Sequence, residues 1–140
     1  MYKFNIEQKH AERAQDGVKG NAGNVRECAL SLQLTGEMRY GDNVRAEVKG
    51  DVLDIQVKSS HSSLGKGQDM TAIVSRDAAN RYAYVSKEFV VYMMTPAEYL
   101  EFANRFAFVD YDSKQNGGAY KMRLLPESKK MLRWLDERVK

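Results

Sequence analysis

Apolar positions recur along the chain with two different periods. Val25, Ala29 and Leu32 stand at helical spacing, Leu30 and Leu34 widen the same face, and Thr35-Gly36 supplies a stop. Ahead of them Asp16-Gly-Val-Lys-Gly-Asn-Ala-Gly-Asn24 is rich in glycine and reads as a loop leading into that helix. The period then falls to two. Val44–Val48 and Val52–Ser59 alternate as strands, with Lys49-Gly50-Asp51 between them as a hairpin turn. A two-residue turn there sets Val48 opposite Asp51, and Val44 and Ala46 opposite Ile55 and Leu53, so that the apolar faces agree.

Further on, the polar stretch Ser59–Gln68 predicts a loop, Asp69–Ala79 a helix, and Arg81–Ser86 and Phe89–Met94 two more strands. Thr95-Pro-Ala-Glu98 has the form of a capping box with proline at the first helical position, which predicts a helix from about Pro96 to Phe106. Ala107–Asp112 and Tyr120–Leu125 alternate around Asn116-Gly117-Gly118, a hairpin signal. A last helix from about Glu127 buries Met131, Leu132, Trp134 and Leu135. The expected fold is mixed α/β, with helices around one central sheet.

Composition narrows the class. A chain of 140 residues, 43% hydrophobic and 29% charged, is expected to form one domain over residues 1–140 rather than a disordered or fibrous chain. The longest apolar run, Phe89–Met94, is far short of the ~20 residues that span a bilayer. The N-terminal residues lack the apolar stretch of a secretion signal, and Cys28 has no second cysteine for a disulfide or a thiolate zinc site. These features predict a cytoplasmic protein. The net charge is only +3, but residues 113–140 carry eight Lys/Arg against three Asp/Glu. A basic end of that kind suits either nucleic acid or a solvated helix face.

The most informative segment for chemistry is Val52-Leu-Asp-Ile-Gln-Val-Lys-Ser59. Strand alternation puts Leu53, Ile55 and Val57 on one face and Asp54, Gln56 and Lys58 on the other. An apolar face to the core thus backs a carboxylate, an amide and an ammonium in a row. Oxygen donors of this type hold Mg²⁺, and a neighbouring lysine stabilises negative charge on a phosphate or helps activate a water. Pattern alone is more often met by a strand with a solvated outer face. Upstream, Glu27 lies three and seven residues before Leu30 and Leu34, beside the buried face of its helix.

A basic, glycine-containing segment, a helix with an inward-leaning Glu, a hairpin, and a strand ending in Gln56-Val57-Lys58 together resemble the PD-(D/E)xK nuclease superfamily. The likeness covers roughly residues 19–60 and is nearest to archaeal-type Holliday junction resolvases and Mrr-like restriction endonucleases, the latter with Gln in the last motif. The resemblance implies a restriction-endonuclease-like mixed sheet flanked by helices. It also implies Mg²⁺ or Mn²⁺ held by carboxylates, and hydrolysis of a DNA phosphodiester by a metal-activated water. In this chain Glu27 matches the helix carboxylate, Gln56 the acidic-or-Gln position and Lys58 the lysine. Two residues compete for the aspartate. Asp42 has the spacing, 14 residues ahead of Gln56, but no proline before it, and it sits on the core parity, so it needs an irregular strand start. Asp54 already shares the polar face with Gln56 and Lys58. The candidate catalytic and metal set is therefore Glu27, Asp42, Asp54, Gln56 and, for catalysis alone, Lys58.

Several other residues suit DNA contact. Lys19 precedes the helix, and Ser59, Ser60, His61 and Lys66 lie in the polar loop after the candidate site, where hydroxyls and a cation would meet a phosphate backbone. Arg123, Lys129, Lys130, Arg133 and Arg138 form either a phosphate-facing rim or the wet side of the last helix. Tyr82, Tyr84, Tyr92, Tyr99 and Phe102 fit core packing better than base stacking. Gly65-Lys66-Gly67 lacks P-loop spacing, and His10 and His61 have no clustered partners for zinc or a triad. Cutting two strands needs two sites, which a symmetric homodimer would supply. The alternative expectation is a DNA-binding or protein-interaction module of a phage or mobile element, without catalysis.

Overall fold

The computed structural model describes residues 1–20, 22–60, 71–73, 79–110 and 120–140. The chain is a mixed α+β protein. Strand β1 (Tyr2–Asn5) and helix α1 (Gln8–Gly17) precede helix α2 (Ala22–Thr35). The hairpin β2 (Val44–Val48) and β3 (Asp51–Lys58) follows, then β4 (Thr71–Ile73), β5 (Arg81–Val85) and β6 (Val90–Met94). Helix α3 (Pro96–Phe106), strands β7 (Ala107–Asp110) and β8 (Tyr120–Leu124), and helix α4 (Lys129–Arg138) complete the chain.

Five strands form the larger sheet in the order β1-β6-β5-β3-β2, with β3 and β5 parallel and the other pairs antiparallel. The hairpin register is the one its alternation predicts: Val44 pairs with Ile55, Ala46 with Leu53, and Val48 with Asp51. Lys49 and Gly50 both take positive φ, 52° and 85°, the backbone that a tight two-residue turn between twisted strands requires. β5 lies inside the sheet and buries both faces. Ala83 and Val85 join Leu53, Ile55, Val91 and Met93 against α1 and α2, where Ala14, Cys28, Ala29, Leu30 and Leu32 are buried. On the opposite face Tyr82, Tyr84, Tyr92 and Met94 pack with Tyr99, Phe102, Met131, Trp134 and Leu135 of α3 and α4. The rings of Tyr82 and Tyr99 stack with centroids 4.4 Å apart. The aromatic residues of these strands and helices are therefore core.

Three expectations are corrected. The fold holds two sheets rather than one, because β4, β8 and β7 form a separate three-stranded antiparallel sheet. Thr71–Ile73, expected within a helix over 69–79, is a strand whose two β-branched residues flank Ala72 and pair along β8. Residues 69–70 and 74–78 of that expected helix, and the Asn116–Gly118 turn, lie outside the described residues. Of the expected Asp16–Asn24 loop, Asp16 and Gly17 are the last turn of α1, closed where Val18 N–H donates to the Ala14 carbonyl at 2.9 Å, and Ala22–Asn24 open α2. Among the described residues no helix is long and apolar enough to cross a membrane.

The capping box of α3 is complete. Thr95 Oγ1 accepts from Glu98 N–H at 3.2 Å, and Glu98 Oε1 accepts from Thr95 N–H at 2.9 Å. Thr95→Ala removes the side-chain acceptor and is expected to lower stability by about 1 kcal/mol, measured by urea denaturation.

Candidate active site

The candidate residues gather where α2 meets the entry to the β2–β3 hairpin. α2 is held by Cys28 to Leu32, all buried, and this leaves the preceding Glu27 half-buried at the margin of the core. Glu27 Oε1 accepts hydrogen bonds from the backbone N–H groups of Gly41 and Asp42, the second at 3.1 Å. These two bonds tie the helix to the segment just before β2. That segment is irregular. Gly41 has φ 89°, Asp42 is in a bend, and the Asp42 carboxylate accepts from Asn43 N–H at 2.7 Å before the ladder begins at Val44. The irregular start that Asp42 needs at this register is present.

Charge shows what lies close together. Burial pushes the Glu27 carboxyl above the usual carboxylate range; the two backbone N–H groups and the Lys58 ammonium oppose the rise, and the Asp42 charge adds to it. Lys58, the last residue of β3, is pushed down to about 8, chiefly by burial, with the Glu27 charge partly restoring it. Glu27 is therefore within electrostatic reach of both Asp42 and Lys58. The ammonium is poorly solvated, so its field at a nearby phosphate is screened less than that of a surface lysine.

Asp54 is not part of this group. It pairs across the hairpin with Arg45, whose Nε lies 3.6 Å from Asp54 Oδ1, and Asn80 brackets its backbone. It stands four positions before Lys58, roughly 13 Å along a strand. Gln56 is half-buried and pairs with Tyr82 in register, on the same strand parity as Lys58. Of the two aspartates the structure brings Asp42 beside Glu27 and leaves Asp54 in an ion pair further down the hairpin.

The expected DNA contacts fare differently. Lys19 is exposed and Ser59 half-buried, while His61 and Lys66 lie outside the described residues. Ser60 is corrected. It is 6% exposed, and its hydroxyl is hydrogen-bonded to the Tyr84 hydroxyl at 3.0 Å and faces the Met131 sulfur, so it belongs to the polar seam between β5 and α4. That seam also takes in Glu127, which accepts from Tyr84 O–H at 2.7 Å. On α4, Lys129, Lys130 and Arg133 are exposed. Arg138 instead lies over the Trp134 ring, 3.7 Å from its centroid, and donates to the Trp134 carbonyl.

One feature was hidden in the sequence. Beside Asp42 opens a cleft of about 530 Å³, formed by the end of α2, residues 37–43 and the start of β2. Its lining includes Thr35, Arg39, Tyr40, Asn43 and Arg45. No periodicity marks these residues, because they come from a helix end, a loop and a strand start. The nearest sequence signal is Gly41 itself, which takes a positive φ between Tyr40 and Asp42.

Among the described residues, no group of three or more His, Cys, Asp or Glu is placed to hold a metal ion. The pair Glu27 and Asp42 fits the other common arrangement, in which Mg²⁺ keeps several waters and is held by one or two carboxylates together with substrate phosphate. Glu27→Gln keeps an acceptor for the Gly41 and Asp42 N–H groups but removes the charge that supports the Lys58 ammonium. Lys58 is then expected to titrate below about 8, which NMR titration of isotopically labelled lysine measures directly.

Comparison with known proteins finds no matching family model, no matching curated protein and no matching solved structure.

Proposed function

We propose that this chain is a metal-dependent DNA endonuclease of the PD-(D/E)xK type, acting at the junction of α2 and the β2–β3 hairpin. The observation that carries the reading is the convergence of Glu27, Asp42 and Lys58 from three separate segments. The mixed sheet with helices on both faces agrees with it. Glu27 and Asp42 would hold Mg²⁺ or Mn²⁺, which when bound would lower the pKa of a water and neutralise phosphate charge. Glu27 also fixes the hairpin entry through its two backbone bonds, so the Asp42 carboxylate is positioned before substrate arrives. Lys58 stabilises the negative charge that grows on the phosphate oxygens as the bond to the attacking oxygen forms. Gln56 is a neutral oxygen donor on the same strand, a weaker ligand than the acid it replaces. Asp54 has no direct role and serves the hairpin through Arg45. A homodimer supplies the second site that two-strand cleavage of duplex or junction DNA needs.

The reading is tested by incubating supercoiled plasmid, linear duplex, single strand and four-way junction with Mg²⁺, Mn²⁺ or EDTA. Cutting of at least one substrate with metal and none in EDTA is expected. Folded protein that cuts nothing would leave the non-catalytic DNA-binding or protein-interaction module as the reading.

A further inference from the structure

The cleft beside Asp42 deepens the nuclease reading, on which its place next to the scissile phosphate rests. Tyr40 is 46% exposed, one of few large apolar side chains left uncovered among the described residues, and it lines this cleft. Arg39 and Arg45 line it too, and each is engaged through Nε by a carboxylate, Glu37 at 2.8 Å and Asp54 at 3.6 Å. Both arginine side chains are 79% exposed, and neither guanidinium has another ion-pair or hydrogen-bond partner among the described residues. Thr35 and Asn43 add a hydroxyl and an amide. The volume lies within the roughly 300–1,000 Å³ range of small-molecule sites.

The chemistry of this lining is specific. A bare run of phosphates would call for an excess of positive charge, but here Glu37 and Asp42 balance Arg39 and Arg45. A flat ligand with donor and acceptor edges suits it better, stacked on the tyrosine, hydrogen-bonded by Asn43 or Thr35, and flanked by phosphates that the arginine ends can reach. A nucleobase on a polynucleotide strand has those properties. A base enters such a cleft only when it is unpaired.

We infer that the cleft is a binding site for one unpaired nucleotide, with the base stacked on Tyr40 and the neighbouring phosphates met by Arg39 and Arg45. The substrate of the adjacent site is then DNA with a single-stranded or unpaired position, such as a branch, flap or open junction, in preference to intact duplex.

The test is fluorescence anisotropy in EDTA, so that nothing is cut, with a short labelled single strand and a blunt duplex of the same length. The wild-type chain is expected to bind the single strand more tightly. Tyr40→Ala should weaken single-strand binding about 5- to 160-fold, the range of one base stacked on an aromatic ring, and leave duplex binding within about twofold. Tyr40→Trp should retain the preference. Equal effects of Tyr40→Ala on both ligands, or none on either, overturn the nucleotide site and leave the nuclease reading standing. Failure to bind either ligand overturns the site as well. Strand-selective, Tyr40-dependent binding by a chain that cuts nothing with Mg²⁺ or Mn²⁺ upholds the site and removes the nuclease reading alone.

Discussion

Lys58→Ala is expected to slow DNA cleavage by about 10²–10³-fold while changing DNA affinity only a few-fold, the range found when one preorganised donor is removed from a developing anion. The contrast follows from where the charge acts. A partly desolvated ammonium at the end of β3 contributes little to long-range attraction, but much to an oxygen that becomes more negative in the transition state. Single-turnover rates beside anisotropy separate the two quantities. The pH profile adds a second readout. On the proposed mechanism Lys58 serves as a cation, and because burial pushes it down to about 8, its contribution should be full below that pH and fall as pH rises through it. Lys58→Arg, if active, should lack that fall, because a guanidinium stays charged.

The second large effect concerns stability. In the unfolded chain Lys58 holds its proton to about 10.5, and in the fold only to about 8. Between these values the unfolded state binds more protons, so stability is expected to rise with pH across that window. Below about 8 the fold carries the whole penalty of a buried ammonium. The shift corresponds to roughly 3 kcal/mol, reduced to about 2 kcal/mol because the side chain keeps some contact with water. Lys58→Met fills the same space without charge. It should therefore stabilise the protein at pH 7 by about 2 kcal/mol and flatten the pH dependence between 8 and 10.5, as urea denaturation across that range would show. Stabilisation of the fold together with slowed cleavage in this variant would identify Lys58 as a residue that serves chemistry rather than packing.

Parts of this arrangement were legible in the chain and parts were not, for identifiable reasons. The β2–β3 register follows from apolar alternation closed by Lys49-Gly50, since a slip of one residue would turn Leu53 and Ile55 to water. The start of α3 follows from Thr95 and Glu98, whose side chains cap it locally. β1 and α1 were not legible. β1 is an edge strand that exposes most of its residues, and α1 buries only Ala11 and Ala14, too little apolar surface to set a clear period. The second sheet depends on pairing between β4 and β8, far apart in sequence, which no local pattern encodes.

The site shows the same division. Helical spacing placed Glu27 at the core margin, but its grip on Gly41 and Asp42 joins residues 14 and 15 positions away. Strand parity favoured Asp54 over Asp42, because parity assumes a regular strand to its first residue. The bend at Gly41–Asp42 breaks that assumption, and Arg45 occupies Asp54 instead. Tyr40 stands out by no pattern, because a lone aromatic in a loop carries no period.

The most direct measurement is plasmid and junction cleavage in Mn²⁺ by the wild-type chain, Asp42→Asn and Asp54→Asn side by side. Cutting is expected from the wild type and from Asp54→Asn, and loss of cutting from Asp42→Asn with its fold intact by circular dichroism. A wild-type chain that cuts neither DNA, or an Asp42→Asn variant that cuts as fast as the wild type, would contradict the proposed function.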